Sequence, residues 1–181
     1  MFDATGYSAV EPLRNGRQVQ IRALHPEDRD NFAAAARSMS VESLHRRFFA
    51  VRREFTEKET SSFVNVDFIN HVALVAVFKE NGQSAVVGGS RYVVVKPGQA
   101  EVAFAVVDQY QGLGIGTALM RHLGAIARAA DIRELIADVL PENIAMLKVF
   151  ERSGFAMNAE RDFGIVRVTL RCPDHNVSAD F

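Results

Sequence analysis

Polar and apolar residues alternate in "RQVQIRAL", which puts Val19 and Ile21 on one face and predicts a half-buried strand. The chain before it is polar, so residues 1–17 are expected to form a flexible lead. In "HPEDRDNFAAAARSM", Pro26, the acids that follow it and the alanine-rich body predict a helix. Ser40 caps a second short helix, "VESLHRRFF". Thr56 and Glu59 have capping-box spacing, so a third helix runs to about Val64.

The pattern then changes period. "HVALVAVFK" and "SAVVGGSRYVVVK" are β-branched runs joined through Asn81-Gly82, a hairpin signal. "KPGQ" turns the chain into "AEVAFAVVD", completing three successive antiparallel strands. From Gly114 the positions Ile115, Ala118, Leu119, His122, Leu123, Ile126 and Ala127 recur at helical spacing. "RELIADVL" reads as a strand, "PENIAMLKVFERSGF" as a helix ended by Gly154, and "FGIVRVTLR" as a last strand. The order predicts an α+β fold with one parallel crossover: a mixed, mostly antiparallel central sheet of about six to seven strands flanked by helices. Residues 18–172 form the single domain and residues 173–181 a tail.

Composition narrows the classes of function. A chain of 181 residues, 48% apolar and 24% charged, has the makeup of one globular domain with a sizeable core. Its net charge of -1 gives no field that would draw nucleic acid or a membrane surface. Arg46, Arg47, Arg52 and Arg53 in "HRRFFAVRREF" therefore read as a solvated helix face rather than a nucleic-acid stripe. The longest apolar run, Val72 to Phe78, is too short to span a bilayer, and the first residues lack the layout of a secretory signal. Cys172 has no partner cysteine, so a reducing, cytoplasmic setting is expected. His25, His45, His71, His122 and His175 show no metal-ligand spacing, and no metal is expected.

The chemistry concentrates in "DQYQGLGIGTALM", residues Asp108 to Met120, where Gly112, Gly114 and Gly116 precede a helix. A P-loop fails: Thr117 and Leu119 stand where its Gly-Lys would begin. The dinucleotide fingerprint fails at the same residues, which replace its third glycine. What remains is a strand, a short glycine turn and a helix whose first amides, roughly Leu113 to Thr117, have no partners inside the helix. Such a terminus binds phosphate. By spacing alone, a bare tight turn with nothing bound stays open.

Gln111-x-x-Gly114-x-Gly116 resembles the Q/R-x-x-G-x-G/A signature of the GNAT N-acetyltransferases, and it follows a strand and opens a helix as that family's signature does. "PENIAMLKVFERSGF" is similar to the family segment in which an asparagine, here Asn143, approaches the cofactor. The resemblance covers about Gln18 to Arg171. "SVESLHRRFF" and "AEVAFAVVDQYQGLGIG" resemble, more narrowly, the acetyltransferase domain of the bacterial protein lysine acetyltransferases of Pat type, which modify acyl-CoA synthetases. That domain is often fused to a regulatory or synthetase-like one, for which 181 residues leave no room; control is expected to be absent or to come from another chain.

The resemblance implies a GNAT fold, acetyl-CoA as co-substrate, and a primary amine as acceptor: a protein lysine first, a small-molecule amine second. Its pyrophosphate would lie on Gly112, Leu113, Gly114, Ile115, Gly116 and Thr117, beside Gln111, and its pantetheine arm along "AFAVV" up to Val106 and Val107. A backbone N–H near Val106 would meet the tetrahedral oxygen. The Pat-type likeness places the catalytic base at Glu101, where burial at the start of a strand would raise the pKa; a solvated first strand residue after the Lys96-Pro97-Gly98-Gln99 turn, with no catalytic role, stays open. Phe150 stands where many GNAT enzymes hold the tyrosine that protonates the leaving thiolate, and it has no proton to give. Within this reading the arginines of residues 46 to 53 border the acceptor cleft and face an acidic protein surface. A monomer and a homodimer both fit, as does the alternative of a catalytically silent acyl-CoA sensor.

Overall fold

The computed structural model describes residues 3–48 and 55–173. Arg52, Arg53 and His175 lie outside them, as does the tail beyond Pro173. The described residues build one sheet in the order β1-β2-β3-β4-β5-β6-β8-β7. Its strands are β1 (Ser8–Pro12), β2 (Gln18–Ala23), β3 (His71–Glu80), β4 (Gln83–Lys96), β5 (Gln99–Val106), β6 (Glu134–Val139), β7 (Ala156–Asp162) and β8 (Ile165–Arg171). Every neighbouring pair is antiparallel except β5 and β6, the crossover the sequence pattern predicts.

Eight strands form where about six to seven are expected, and the two not expected, β1 and β7, are the two edges. An edge strand buries little, so it need not alternate: β7 reads "AMNAERD", mostly exposed. The flexible lead expected over residues 1–17 is corrected by β1, which pairs along its whole length with β2. Ala4 and Leu13 are buried in the core. Tyr7 Oη meets His122 Nδ1, and His122 Nε2 meets Glu11, so both ring nitrogens of this histidine tie the lead to the central helix.

The helices α1 (Arg29–Ser38), α2 (Val41–Phe48), α3 (Glu57–Val64), α4 (Ile115–Ala129) and α5 (Ile144–Glu151) arise where the caps place them. The Thr56–Glu59 capping box forms, and Ser40 Oγ accepts the Ser43 N–H at 3.1 Å at the head of α2. A 3-10 turn at Pro26–Asp28 leads into α1. Asp28, 5% exposed, locks it there: its two carboxylate oxygens accept from the two terminal nitrogens of Arg22 at 2.7 Å each, and one also takes the His25 N–H at 2.9 Å.

Two apolar clusters cover the two faces of the sheet. Leu119, Leu123 and Ile126 of α4 lie against Ile21, Leu74 and Val102. On the other face, Phe32 and Ala35 of α1 and Val64 of α3 lie over Val75, Val77 and Val86. β5 is thus sandwiched, with Ala100, Val102 and Phe104 toward α4 and their alternates toward α1 and α2.

Candidate active site

The parallel pairing of β5 with β6 is short. Gln99, Ala100 and Glu101 pair with Glu134, Leu135 and Ile136, and beyond Glu101 the strands part. Val102 to Val106 still pair with β4 but have no strand on the other side. Backbone groups directed to that side are left for a ligand or water.

Two clefts meet along this split. One, of about 280 Å³, is lined by Phe104 to Val106, Gln111, Gly112, Gly114 to Thr117 and Asn143. The other, of about 350 Å³, holds Glu101, Asp138 and Phe150. Arg46, Arg47, Phe104, Asn143 and Met146 line both, so one passage runs from the glycine turn to Glu101.

Backbone conformation dictates two of the three glycines in the turn. Gly112 has φ +78° and Gly114 φ +97°, where a side chain is strained. Gly116 has no such φ, and a Cβ there would make only an ordinary 3.6 Å contact with Val149. It lines the cleft all the same, where a side chain would take up room. The first amide of α4 with a partner is Ala118 N–H, which donates to the Gly114 carbonyl at 3.0 Å. The amides of Ile115, Gly116 and Thr117 therefore open the helix without acceptors in it.

Val107 and Leu113 fall outside the cleft lining. The Val107 N–H donates to the Val87 carbonyl at 2.9 Å, and Leu113 packs half-buried on the core. Gln111 lines the cleft but is spent on bracing it: its Nε2 donates to the Val106 carbonyl at 3.0 Å and to Ser43 Oγ at 3.2 Å. Asn143 lines both clefts and caps α5, its Oδ1 accepting the Met146 N–H at 3.2 Å.

Glu101 is exposed, which corrects the burial expected at the start of its strand. Its place is nonetheless distinctive, at the last paired residue before the split. Burial pushes the Arg47 guanidinium down to about 10, and the Glu101 carboxylate opposes the shift. Phe150 is 1% exposed, lines the cleft that holds Glu101, and stacks edge-on to Phe104, ring centres 5.8 Å apart. Arg46 pairs with Glu42 at 2.5 Å, while its buried Nε has no acceptor among the described residues.

Two features of the site lay beyond the sequence reading. Arg14, in the β1–β2 hairpin, sits over the glycine turn: its N–H donates to the Leu113 carbonyl at 3.2 Å, and its Nε lies 3.9 Å from where a Cβ on Gly114 would be. The signal that would have found this hairpin is Asn15-Gly16. Asp108 is the second. Its carboxylate accepts from the Ser40 N–H at 2.9 Å, Ser40 Oγ at 2.7 Å and Ser43 Oγ at 3.0 Å, clamping α2 to the turn. Burial works against its ionisation, but these bonds outweigh it and hold the carboxyl below its ordinary value.

A mixed sheet that splits beyond one short parallel pairing, with a glycine turn and bare helix amides at the mouth of the split, is the architecture of a GNAT acyltransferase. The acetyltransferase (GNAT) family matches residues 38–155, and the chain belongs to it. It is similar to an acetyltransferase of Pseudomonas aeruginosa, 34% identical over 154 residues that cover 84% of this chain and 83% of that one. The acetyltransferase Pat of Mycolicibacterium smegmatis is 33% identical over 89% of this chain, which spans 48% of that longer protein. Among solved structures, the GNAT domain of S. lividans PAT superposes with a TM-score of 0.82 at 32% identity, covering 91% of this chain and 97% of that domain. The chain is thus a GNAT-family N-acetyltransferase, similar in sequence and fold to the GNAT domain of PAT.

Proposed function

We propose that the chain moves an acetyl group from acetyl-CoA to a protein lysine, such as one on an acyl-CoA synthetase. The observation that carries the reading is the continuous passage from the bare amides of Ile115 to Thr117 to the Glu101 carboxylate, along the unpaired side of β5. The amides and the positive end of α4 suit the pyrophosphate, and Arg14 adds charge over the same turn. The amide-rich pantetheine arm suits the free edge of Val102 to Val106 as an added strand, and a backbone N–H there would stabilise the oxyanion.

Glu101 takes the amine's proton, directly or through water. A lysine titrates near 10.4, so only about one in 2,500 is a neutral nucleophile at pH 7. The nitrogen attacks the thioester carbon, the C–S bond breaks, and Phe150 leaves the sulfur to depart as thiolate or to take a proton from water. Protein rather than free amine is favoured by α2, which carries Arg46 and Arg47 into both clefts, and by the likeness to Pat-type domains.

The test is incubation of the chain with acetyl-CoA and a panel of acyl-CoA synthetases and small amines, with acetylation read by mass. Modification of a synthetase lysine, much faster than of free amines, is the expected result. Transfer to small amines alone would replace the protein acceptor. Cofactor binding without transfer would make the chain a sensor.

A further inference from the structure

Behind β5, on the face covered by α1, lies a third cavity that the acetyl-transfer reading does not use. It measures about 60 Å³, and its wall is mainly apolar, including Phe32, Ala35, Val75, Val86 and Ala103. Met39, Arg47 and Ala105 line both this slot and the cofactor cleft, so the slot adjoins the stretch of β5 where the acyl group would rest. A water-sized probe needs about 10–15 Å³, so the slot has room for about four non-hydrogen atoms.

One wall is not apolar. Arg91, from β4, lines the slot beside Arg47. Its Nη2 donates to the Phe63 carbonyl at 3.2 Å, its Nη1 lies 3.2 Å from His71 Nε2, and its charge sits 5.0 Å from the centre of the Phe63 ring. Burial, then the Arg91 charge, lowers the pKa of His71, which favours the neutral ring that accepts from Arg91. Every one of these partners is uncharged. Among the described residues no carboxylate lies within ion-pair distance of Arg91, and burial, helped by the charge of Arg47, pushes its guanidinium down to about 10. A guanidinium withdrawn from water beside a second one, with no anion against it, is costly unless the anion comes from outside.

We propose that this slot receives the tail of the acyl group and is built for a short acyl chain ending in a carboxylate, which Arg91 binds. The inference rests on the acyl-CoA reading above and extends its donor from acetyl to succinyl-type thioesters. Relative to acetyl, a succinyl group adds one carbon and a carboxylate, about four non-hydrogen atoms, which matches the slot. The transfer step is unchanged. The C–N bond forms, the C–S bond breaks, the amine proton passes to Glu101 and the thiolate leaves, with no further reactant.

The test compares the affinities of acetyl-, butyryl- and succinyl-CoA by titration calorimetry. Butyryl and succinyl share a four-carbon chain and differ in the terminal charge. The wild-type chain is expected to bind succinyl-CoA about tenfold more tightly than butyryl-CoA, as a charge-assisted bond predicts. In Arg91→Gln that preference disappears while acetyl-CoA affinity stays, which also reports that the variant is folded. Ala35→Phe fills the slot from α1 and should weaken both four-carbon ligands but not acetyl-CoA. No preference for succinyl-CoA in the wild type, or a preference that survives Arg91→Gln, overturns the inference. So does an Arg91→Gln effect confined to acceptor amines that bear a carboxylate. If none of the three thioesters binds, the proposed function falls and this inference with it.

Discussion

Gly114 offers a perturbation whose two effects separate. Its φ of +97° forces any L side chain into the left-handed region, but in the protein itself a Cβ there meets nothing nearer than Arg14 Nε at 3.9 Å. Gly114→Ala should therefore cost backbone strain alone, about 1–2 kcal/mol, with no clash. For a domain of this size that lowers the melting temperature by about 2–4 °C per kcal/mol. Gly98, at φ +76° in the β4–β5 turn with nothing within 4 Å, provides the matched control: Gly98→Ala carries similar strain away from the cleft. The cofactor separates the two variants. A Cβ on Gly114 stands where the pyrophosphate would approach the amides of Ile115 to Thr117. Losing one hydrogen bond to a charged acceptor costs about 1.5–3 kcal/mol, or about 10- to 150-fold in affinity. Melting curves and calorimetric titration with acetyl-CoA on both variants give the comparison. Equal melting losses with acetyl-CoA affinity reduced only in Gly114→Ala is the expected outcome. Undiminished affinity in Gly114→Ala would show that the glycine turn is not the cradle.

Arg14→Ala should weaken acetyl-CoA binding by a factor of about five or less, because the guanidinium is exposed, and the difference should shrink as salt rises; titrations at two ionic strengths check it. Asp28→Asn breaks the paired bonds to Arg22 and should cost about 2–3 kcal/mol at pH 7, a figure reduced from that of a fully buried pair because Arg22 keeps 21% of its side chain in water. Burial opposes ionisation of Asp28, but Arg22 outweighs it and holds the carboxyl below its ordinary value, so this contribution is present above the usual carboxylate range and lost as pH falls through the lowered value. Denaturant melts between pH 7 and pH 2.5 should show a shallower acid slope in the variant. Asp108→Asn removes the charge that clamps α2 to the glycine turn; turnover and acetyl-CoA affinity should fall together, and full activity would show that the clamp does not set the site.

Much of this was legible in the chain because the local signals agreed with the fold. The caps at Ser40 and Thr56, the Asn81-Gly82 turn and the period of α4 all sit where the structure uses them. The edge strands were not legible. β1 alternates only between exposed and half-buried positions and β7 is mostly exposed, so neither carries a strong apolar pattern, although Asn15-Gly16 marked the first hairpin. For the site, the glycine spacing indicated phosphate, but it could not separate Gly112 and Gly114, which the backbone demands, from Gly116, which it does not. Glu101 was indicated by resemblance alone. That it marks the point where β5 leaves β6 is a property of register between strands whose paired residues, such as Gln99 and Glu134, lie 35 positions apart in the chain, and no local pattern encodes it. Arg14, Asp108 and Arg91 act across elements remote in sequence, and for the same reason only the folded chain shows them.

In the proposed mechanism Glu101 is the group that accepts the amine's proton beside bound acetyl-CoA. Its most direct test measures release of the free coenzyme A thiol and amine acetylation together, in the wild type and in Glu101→Gln, alongside the heat of acetyl-CoA binding. The prediction is one thiol per acetylated amine in the wild type. In the variant, binding is preserved and turnover at pH 7 falls by about 10²–10⁴, recovering as rising pH deprotonates the amine. Normal turnover by Glu101→Gln across pH, or tight acetyl-CoA binding by the wild type with no thiol released for any acceptor, would contradict it.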